Sequence, residues 1–269
     1  MGVAERGYHD SLPFPRPGTH RIVSGNPREF DMRIVRSALR AFFAKPPIFR
    51  IPPGFCLLCD EPARTIANLC DACARSLPLI DDPCRRCGGW AVPGTALCRL
   101  CARRAPTVAR TLCALAYASP VSHLIGRLKF GGDLRVAPTL ANLLEKRCEI
   151  RAREVDWLVP VPLGLPRLRS RGFNQALEIA KELKPNRPIP IASFVHRRGQ
   201  SDAPQSSLPT IGARRSNVRD AFEVRGRLHG RVAIVDDVVT TGATVNALAK
   251  CLMHAGAQEV EVWAVARTP

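Results

Sequence analysis

The sequence predicts an α/β fold, a mainly parallel sheet flanked by helices, with a small cysteine-rich module in front of it. Three observations predict it. Residues 107–269 alternate short apolar runs with amphipathic stretches, the pattern of strand–helix crossovers. Residues 55–106 hold four C-x-x-C pairs at a constant interval. Residues 232–244 (VAIVDDVVTTGAT) run from an apolar segment through two acids and a hydroxyl-rich turn into a helical pattern.

The bulk properties bound the function classes. A chain of 269 residues has room for one large domain and a small module. Its net charge of +17 favours polyanionic partners: nucleic acid, phosphorylated metabolites or an anionic surface. A coding sequence rich in G and C, which writes Arg for Lys, accounts for part of that excess. No run reaches the ~18 apolar residues of a membrane span, and the N-terminus lacks the apolar core of an export signal. The reading is a soluble, cytoplasmic protein without stable membrane insertion.

Residues 1–54 read as an irregular extension carrying Pro13, Pro15, Pro17 and Pro27. Within it, Met32, Val35, Leu39 and Phe42 follow helical spacing, with Arg33, Arg36 and Arg40 on another face. This basic amphipathic helix over 31–43 suits either a membrane or partner surface, or its own domain. Met32 is a second candidate start. A proline-rich connector follows at 45–54.

The module at 55–106 contains eight of the 11 cysteines: Cys56, Cys59, Cys70, Cys73, Cys84, Cys87, Cys98 and Cys101. The first cysteines of successive pairs are 14 residues apart throughout. Pairs of this kind on a chain with no export signal read as metal ligands, since a C-x-x-C turn presents two thiolates to one ion. Eight thiolates make two closed tetrahedral sites, which suits a double zinc ribbon with two structural Zn²⁺. Iron–sulfur ligation and disulfides are the alternatives. Sequential pairing, first turn with second and third with fourth, is preferred over nested pairing. Gly88 and Gly89 follow the third turn, as a tight knuckle needs. Cys113, Cys148 and Cys251 read as ordinary core or surface cysteines.

In the domain at 107–269, strands are predicted at 111–118, 157–161, 189–194, 221–224, 232–235 and 260–266. Helices are predicted at 122–130, 138–147, 174–183 and 244–255. Ligands of open α/β sheets bind at the carboxyl ends of strands, where a loop entering a helix offers free N–H groups and a positive dipole end. Thr240, Thr241, Gly242, Ala243 and Thr244 therefore form a cup for a phosphate monoester, with Gly242 admitting close backbone approach. Asp236 and Asp237 would repel phosphate. They make sense facing ribose hydroxyls and a hydrated Mg²⁺, so a sugar phosphate explains both halves. The absence of G-K-[ST] excludes a Walker A loop.

Residues 232–244 resemble the signature of the type I phosphoribosyltransferases at every position. That resemblance implies 5-phosphoribosyl-1-pyrophosphate (PRPP) as ligand, with its 5-phosphate on residues 240–244, its ribose on the catalytic pair Asp236 and Asp237, and Mg²⁺ accompanying it. It also implies a pyrophosphate-binding loop after the strand at 157–161, which here offers Pro162, Arg167, Arg169 and Arg171. The resemblance further implies a mobile loop at 196–220, a stretch that carries Arg197, Arg198, Arg214, Arg215 and Arg219. Arg215 is counted among the pyrophosphate ligands; the other arginines there are either phosphate contacts or solvated charge.

A wider order of motifs points further. The cysteine pairs precede LKFGG at 128–132, PVPL at 160–163, RLRSRGFNQ at 167–175, RSNV at 215–218 and the PRPP motif. This order resembles the ComF family, competence-associated proteins with a phosphoribosyltransferase-like domain behind a zinc module. Residues 55–268 are covered. Gly164, Leu165 and Pro166 depart from the family's His-Pro-Arg-like segment, removing one cation. The resemblance implies a role in DNA uptake or processing, with single-stranded DNA and other competence or DNA-processing proteins as partners. Two activities fit: a phosphoribosyltransferase acting on an unidentified nucleophile, or a nucleotide-sensing, DNA-binding adaptor. The acceptor pocket discriminates them, and no motif displays it. Trp90 and Phe173 are the aromatic candidates for base stacking.

Overall fold

The computed structural model describes residues 54–63, 68–150, 154–198 and 221–269. The expected extension and basic helix before residue 54, and Arg214, Arg215 and Arg219, lie outside the described residues. Two short helices come first, α1 (Asp71–Arg75) and α2 (Arg99–Arg103). They are followed by β1 (Arg110–Ala116), α3 (Val121–Gly131), α4 (Val136–Cys148) and β2 (Trp157–Pro160). Then come α5 (Leu165–Arg171), α6 (Gln175–Glu182), β3 (Val195–Arg197) and β4 (Phe222–Val224). The chain closes with β5 (Arg231–Val239), α7 (Ala243–His254) and β6 (Glu259–Arg267).

Four strands pair in the order β1-β6-β5-β2, all parallel, so β5 and β6 are central. A central parallel strand is covered on both faces, which is why these segments are nearly continuous Val, Ile and Ala. Alternate residues of β5 serve different cores. Val232 and Ile234 pack with Leu248 and Leu252 of α7, whereas Ala233 and Val235 pack with Leu140 and Leu144 of α4 and Ile179 of α6. β3 and β4 form a separate antiparallel ribbon.

Three elements differ from expectation. The strand expected at 189–194 is reduced to a single parallel bridge between Ile191 and Leu158, and the regular strand begins at Val195. β5 runs four residues beyond the expected end at 235, so Asp236 and Asp237 lie inside the ladder rather than after it. Residues 165–171, read as loop, are helical: Pro166 stands in the first turn and Gly172 caps the end at φ 78°.

The cysteine module is a tandem of two equal units. In each, an antiparallel bridge brackets the first C-x-x-C turn (Phe55 with Pro62, Pro83 with Trp90), and the second turn opens a short helix, α1 or α2. Corresponding features are 28 residues apart (Phe55 and Pro83, Cys56 and Cys84, Asp71 and Arg99). The first unit contributes Cys56, Leu57, Leu69 and Leu77 to the core shared with α3 and α4. The second lies against β1. A Cβ on Gly88, at φ 66°, would come within 2.9 Å of the Cys113 sulfur and 3.0 Å of the Thr111 carbonyl oxygen, so only glycine fits there. Residues Ile51–Pro269 form one compact unit. Among the described residues, no helix is long and apolar enough to cross a membrane.

Candidate functional site

β5 ends at Val239, and the next five residues turn into α7. Thr240, Thr241 and Ala243 are exposed, while Gly242 and Thr244 are partly covered. Gly242 sits at φ 76° as the N-cap of α7, a left-handed conformation that costs glycine least. Asn246 holds the turn. Its Nδ2 donates to the Gly242 carbonyl at 2.8 Å, and its Oδ1 accepts from the Thr107 amide at 2.8 Å. The turn is thus pinned to the strand-entry segment before β1, with the positive end of α7 behind it.

Asp236 and Asp237 precede this turn. Successive side chains of a strand point to opposite faces, so only one of them meets α3. It is Asp237, which is buried; the Lys129 ammonium lies 2.6 Å from its Oδ2. Asp237 Oδ1 accepts from the Val238 amide, and Asp236 Oδ1 from the Asp237 amide, both at 2.9 Å. Burial, and then the charge of Asp237, push the Asp236 carboxyl well above the ordinary carboxylate range. A cation or a ring of hydroxyl donors placed here would relieve that cost.

The predicted pyrophosphate residues are divided. Pro162 is buried and, as proline, has no N–H to donate. Arg167, Arg169 and Arg171 lie on α5, where Arg167 and Arg171 share a face at i,i+4 and Arg169 projects elsewhere. Arg171 donates to the Gln175 Oε1 at 3.0 Å and lies 5.4 Å from the Phe130 ring centre. Burial, and then the nearby charge of Arg167, lower the Arg197 guanidinium from its ordinary value. Asn174 explains the N-terminus of α6: its side chain accepts from the Ala176 amide at 3.0 Å and donates to the Val161 carbonyl at 3.0 Å.

The eight cysteines form two groups of four, Cys56, Cys59, Cys70 and Cys73, then Cys84, Cys87, Cys98 and Cys101. This is the sequential pairing. Within each group all sulfurs lie within 4.8 Å of one another. Cys59 and Cys70 sulfurs are 3.6 Å apart, and those of Cys87 and Cys98 are 3.7 Å apart. A tetrahedral ion with Zn–S bonds of ~2.3 Å needs sulfurs ~3.8 Å apart, so both groups fit zinc. Those gaps are far beyond the ~2.05 Å of a disulfide. The amides of Leu58, Cys73 and Cys101 donate to Cys56, Cys70 and Cys98 sulfurs at 3.4, 3.5 and 3.4 Å. Burial raises the Cys56 thiol, but the amides of Cys70, Leu58 and Cys59 outweigh it and bring it down to about 6. Cys84 is lowered to about 7, again against burial, by the amides of Cys98, Cys87 and Arg86.

Each unit reaches the β5 region through one arginine. Arg127 of α3 donates to the Leu57 carbonyl of the first unit, two residues before Lys129. Arg267 of β6 donates to the Cys87 carbonyl at 3.2 Å and to the Val239 carbonyl at 3.0 Å. Arg127, Lys129, Phe130, Asn246 and Arg267 were not singled out as site residues from the sequence. One signal was available for Lys129: a lysine one turn after Ile125 on the apolar stripe of α3 needs a partner. Of the aromatic candidates, Phe173 packs against the core and Trp90 is 39% exposed.

The family described as phosphoribosyl transferase domain matches residues 168–269. The DNA utilization protein YhgH of Escherichia coli (strain K12) is 32% identical over 231 residues, 80% of this chain and 98% of that protein. Competence protein F of Haemophilus influenzae is 31% identical over 193 residues, covering 68% of this chain and 84% of its own. Among solved structures, a purine phosphoribosyltransferase from Pyrococcus horikoshii Ot3 aligns over 59% of this chain and 88% of its own, at 18% identity and a TM-score of 0.30.

Proposed function

The chain belongs to the ComF family, and we propose that it is a PRPP-binding protein of DNA uptake or DNA processing. The observation that carries this reading is the continuity of β5: two carboxylates inside a central parallel strand, followed within three residues by a glycine-capped turn at the start of α7. A 5-phosphate would sit on Thr240, Thr241, Gly242, Ala243 and Thr244, held by helix N-terminal amides and hydroxyls. Ribose hydroxyls would face Asp236 and Asp237. Mg²⁺, arriving with the ligand, would supply positive charge between pyrophosphate and carboxylates. Among the described residues, Arg167 and Arg171 on one face of the helix Leu165–Arg171, together with Arg169 and Arg197, would supply the charge that holds pyrophosphate.

The two cysteine groups hold structural Zn²⁺ in this reading, with no ligand position open for catalysis. Eight uncrosslinked thiols suit a reducing compartment, and the protein is assigned to the cytoplasm. Single-stranded DNA and other DNA-processing proteins are its proposed partners, in keeping with the net charge of +17. A second reading is phosphoribosyl transfer, in which the arginines of α5 would stabilise pyrophosphate as it leaves.

Calorimetric titration with PRPP, with and without Mg²⁺, tests the proposal. Wild type should bind only with the metal, and Asp236→Asn combined with Asp237→Asn should weaken binding at least about tenfold. Unchanged affinity and metal dependence in the double variant would place the ligand elsewhere.

A further inference from the structure

Phe130 is the most exposed large apolar side chain among the described residues, at 81%. A lone exposed aromatic is ordinary on a protein surface. Its neighbours make this one unusual. The residue before it, Lys129, is bonded to Asp237, so the last turn of α3 is fixed to the strand that carries the acids. The Arg171 guanidinium of α5 lies over one face of the ring, 5.4 Å from its centre. Beyond it the helix stops at Gly131 and Gly132, the latter at φ 64°, and a Cβ at either would meet nothing within 4 Å. With 81% of the side chain exposed and a cation over one face, the ring's other face is open to a planar partner.

We infer that the open face of Phe130 is a stacking platform for a planar nucleobase, with Arg171 behind the ring to meet the adjoining phosphate. This rests on the PRPP reading for the position of the ribose, and it supplies the base-recognition side that the sugar-phosphate site lacks. Aromatic faces stack any base, and a neighbouring arginine adds cation–π and phosphate contacts. The ring is carried on a helix anchored by Lys129 and by Arg127, which donates to the first cysteine unit. Such anchoring leaves little ordering cost when a base binds. The base comes either free or as part of a single strand; the recognition chemistry is the same.

Two probes separate the sources. The full chain is titrated with a short oligothymidylate and with its abasic counterpart of equal length and charge. Wild type should prefer the base-bearing strand about tenfold. Phe130→Ala should erase the preference and Phe130→Trp should keep it. Raising salt weakens both strands together and leaves their ratio unchanged, because the preference is not a phosphate effect. In parallel, equilibrium dialysis measures free adenine and uracil with Mg²⁺–PRPP present. Retention of a free base by wild type but not by Phe130→Ala, with no strand preference, identifies the free base as the occupant. A strand preference without free-base retention identifies the strand. A preference that survives Phe130→Ala overturns the inference, as does a wild-type chain that distinguishes neither strand and retains no base. Should wild type fail to bind PRPP yet keep a Phe130-dependent base preference, the PRPP reading falls and the platform stands.

Discussion

The ammonium of Lys129 lies 2.6 Å from Oδ2 of Asp237, joining the last turn of α3 to central strand β5. The Asp237 side chain is 4% exposed and that of Lys129 17% exposed. The pair therefore links the motif that carries the acids to a helix more than a hundred residues earlier in the chain.

Lys129→Met leaves the Asp237 carboxylate buried without its counter-ion. Breaking such a pair from one side costs about 3 kcal/mol, whereas removing both charges costs far less. Chemical denaturation of Lys129→Met, Asp237→Asn and the double variant should show most of the lost stability restored in the double. Equal and additive losses would mean that the two side chains do not depend on each other.

The raised Asp236 carboxyl makes stability fall with rising pH. In the folded state it holds its proton above the ordinary value of 3.8, so between that value and its folded value the folded chain binds more protons than the unfolded chain. Its contribution is most favourable below pH ~4 and is lost as pH rises through the folded value. Asp236→Asn should therefore be more stable than wild type near neutral pH and flatten the slope. Melting temperatures of both proteins across the mildly acidic to neutral range check this; parallel curves would contradict it. Metal-bound ligand favours the ionised acid, so Mg²⁺-dependent PRPP binding should strengthen with pH over the same interval.

Purified protein should carry two zinc ions, and Cys84→Ser one. Metal analysis by mass spectrometry checks both numbers, and a single ion in wild type, or iron, would overturn the assignment. Loss of the second ion should also lower the melting temperature, because metal binding is coupled to folding of its unit. Arg267 bonds the Cys87 carbonyl and the Val239 carbonyl at the mouth of the phosphate turn. Cys84→Ser should therefore weaken PRPP binding severalfold, roughly 1 kcal/mol, the scale of a lost hydrogen bond. Unaltered PRPP affinity in a one-zinc protein would show that the unit is mechanically separate.

The sequence by itself determined the features whose chemistry is local. Each C-x-x-C turn is four consecutive residues, and the parallel strands announce themselves as apolar runs because both their faces are covered. The turn after β5 follows from Gly242 and its threonines, and Pro166 and Gly172 bracket α5 in the sequence, although the resemblance led that segment to be read as a loop. Tertiary structure alone decided the rest. Asp236 and Asp237 break the apolar pattern, which therefore ends the strand before them; pairing with β6 through Val239 and Arg267 carries it on. Ile189 to Phe194 has the β-branched and aromatic content of a strand, but pairs regularly with nothing beyond the Ile191–Leu158 bridge. The partnership of Lys129 with Asp237, and the place of Phe130 beside Arg171, depend on how α3 and α5 pack around the sheet. Contacts between residues so far apart in the chain leave no periodic trace in it, because each end is shaped only by its own helix or strand.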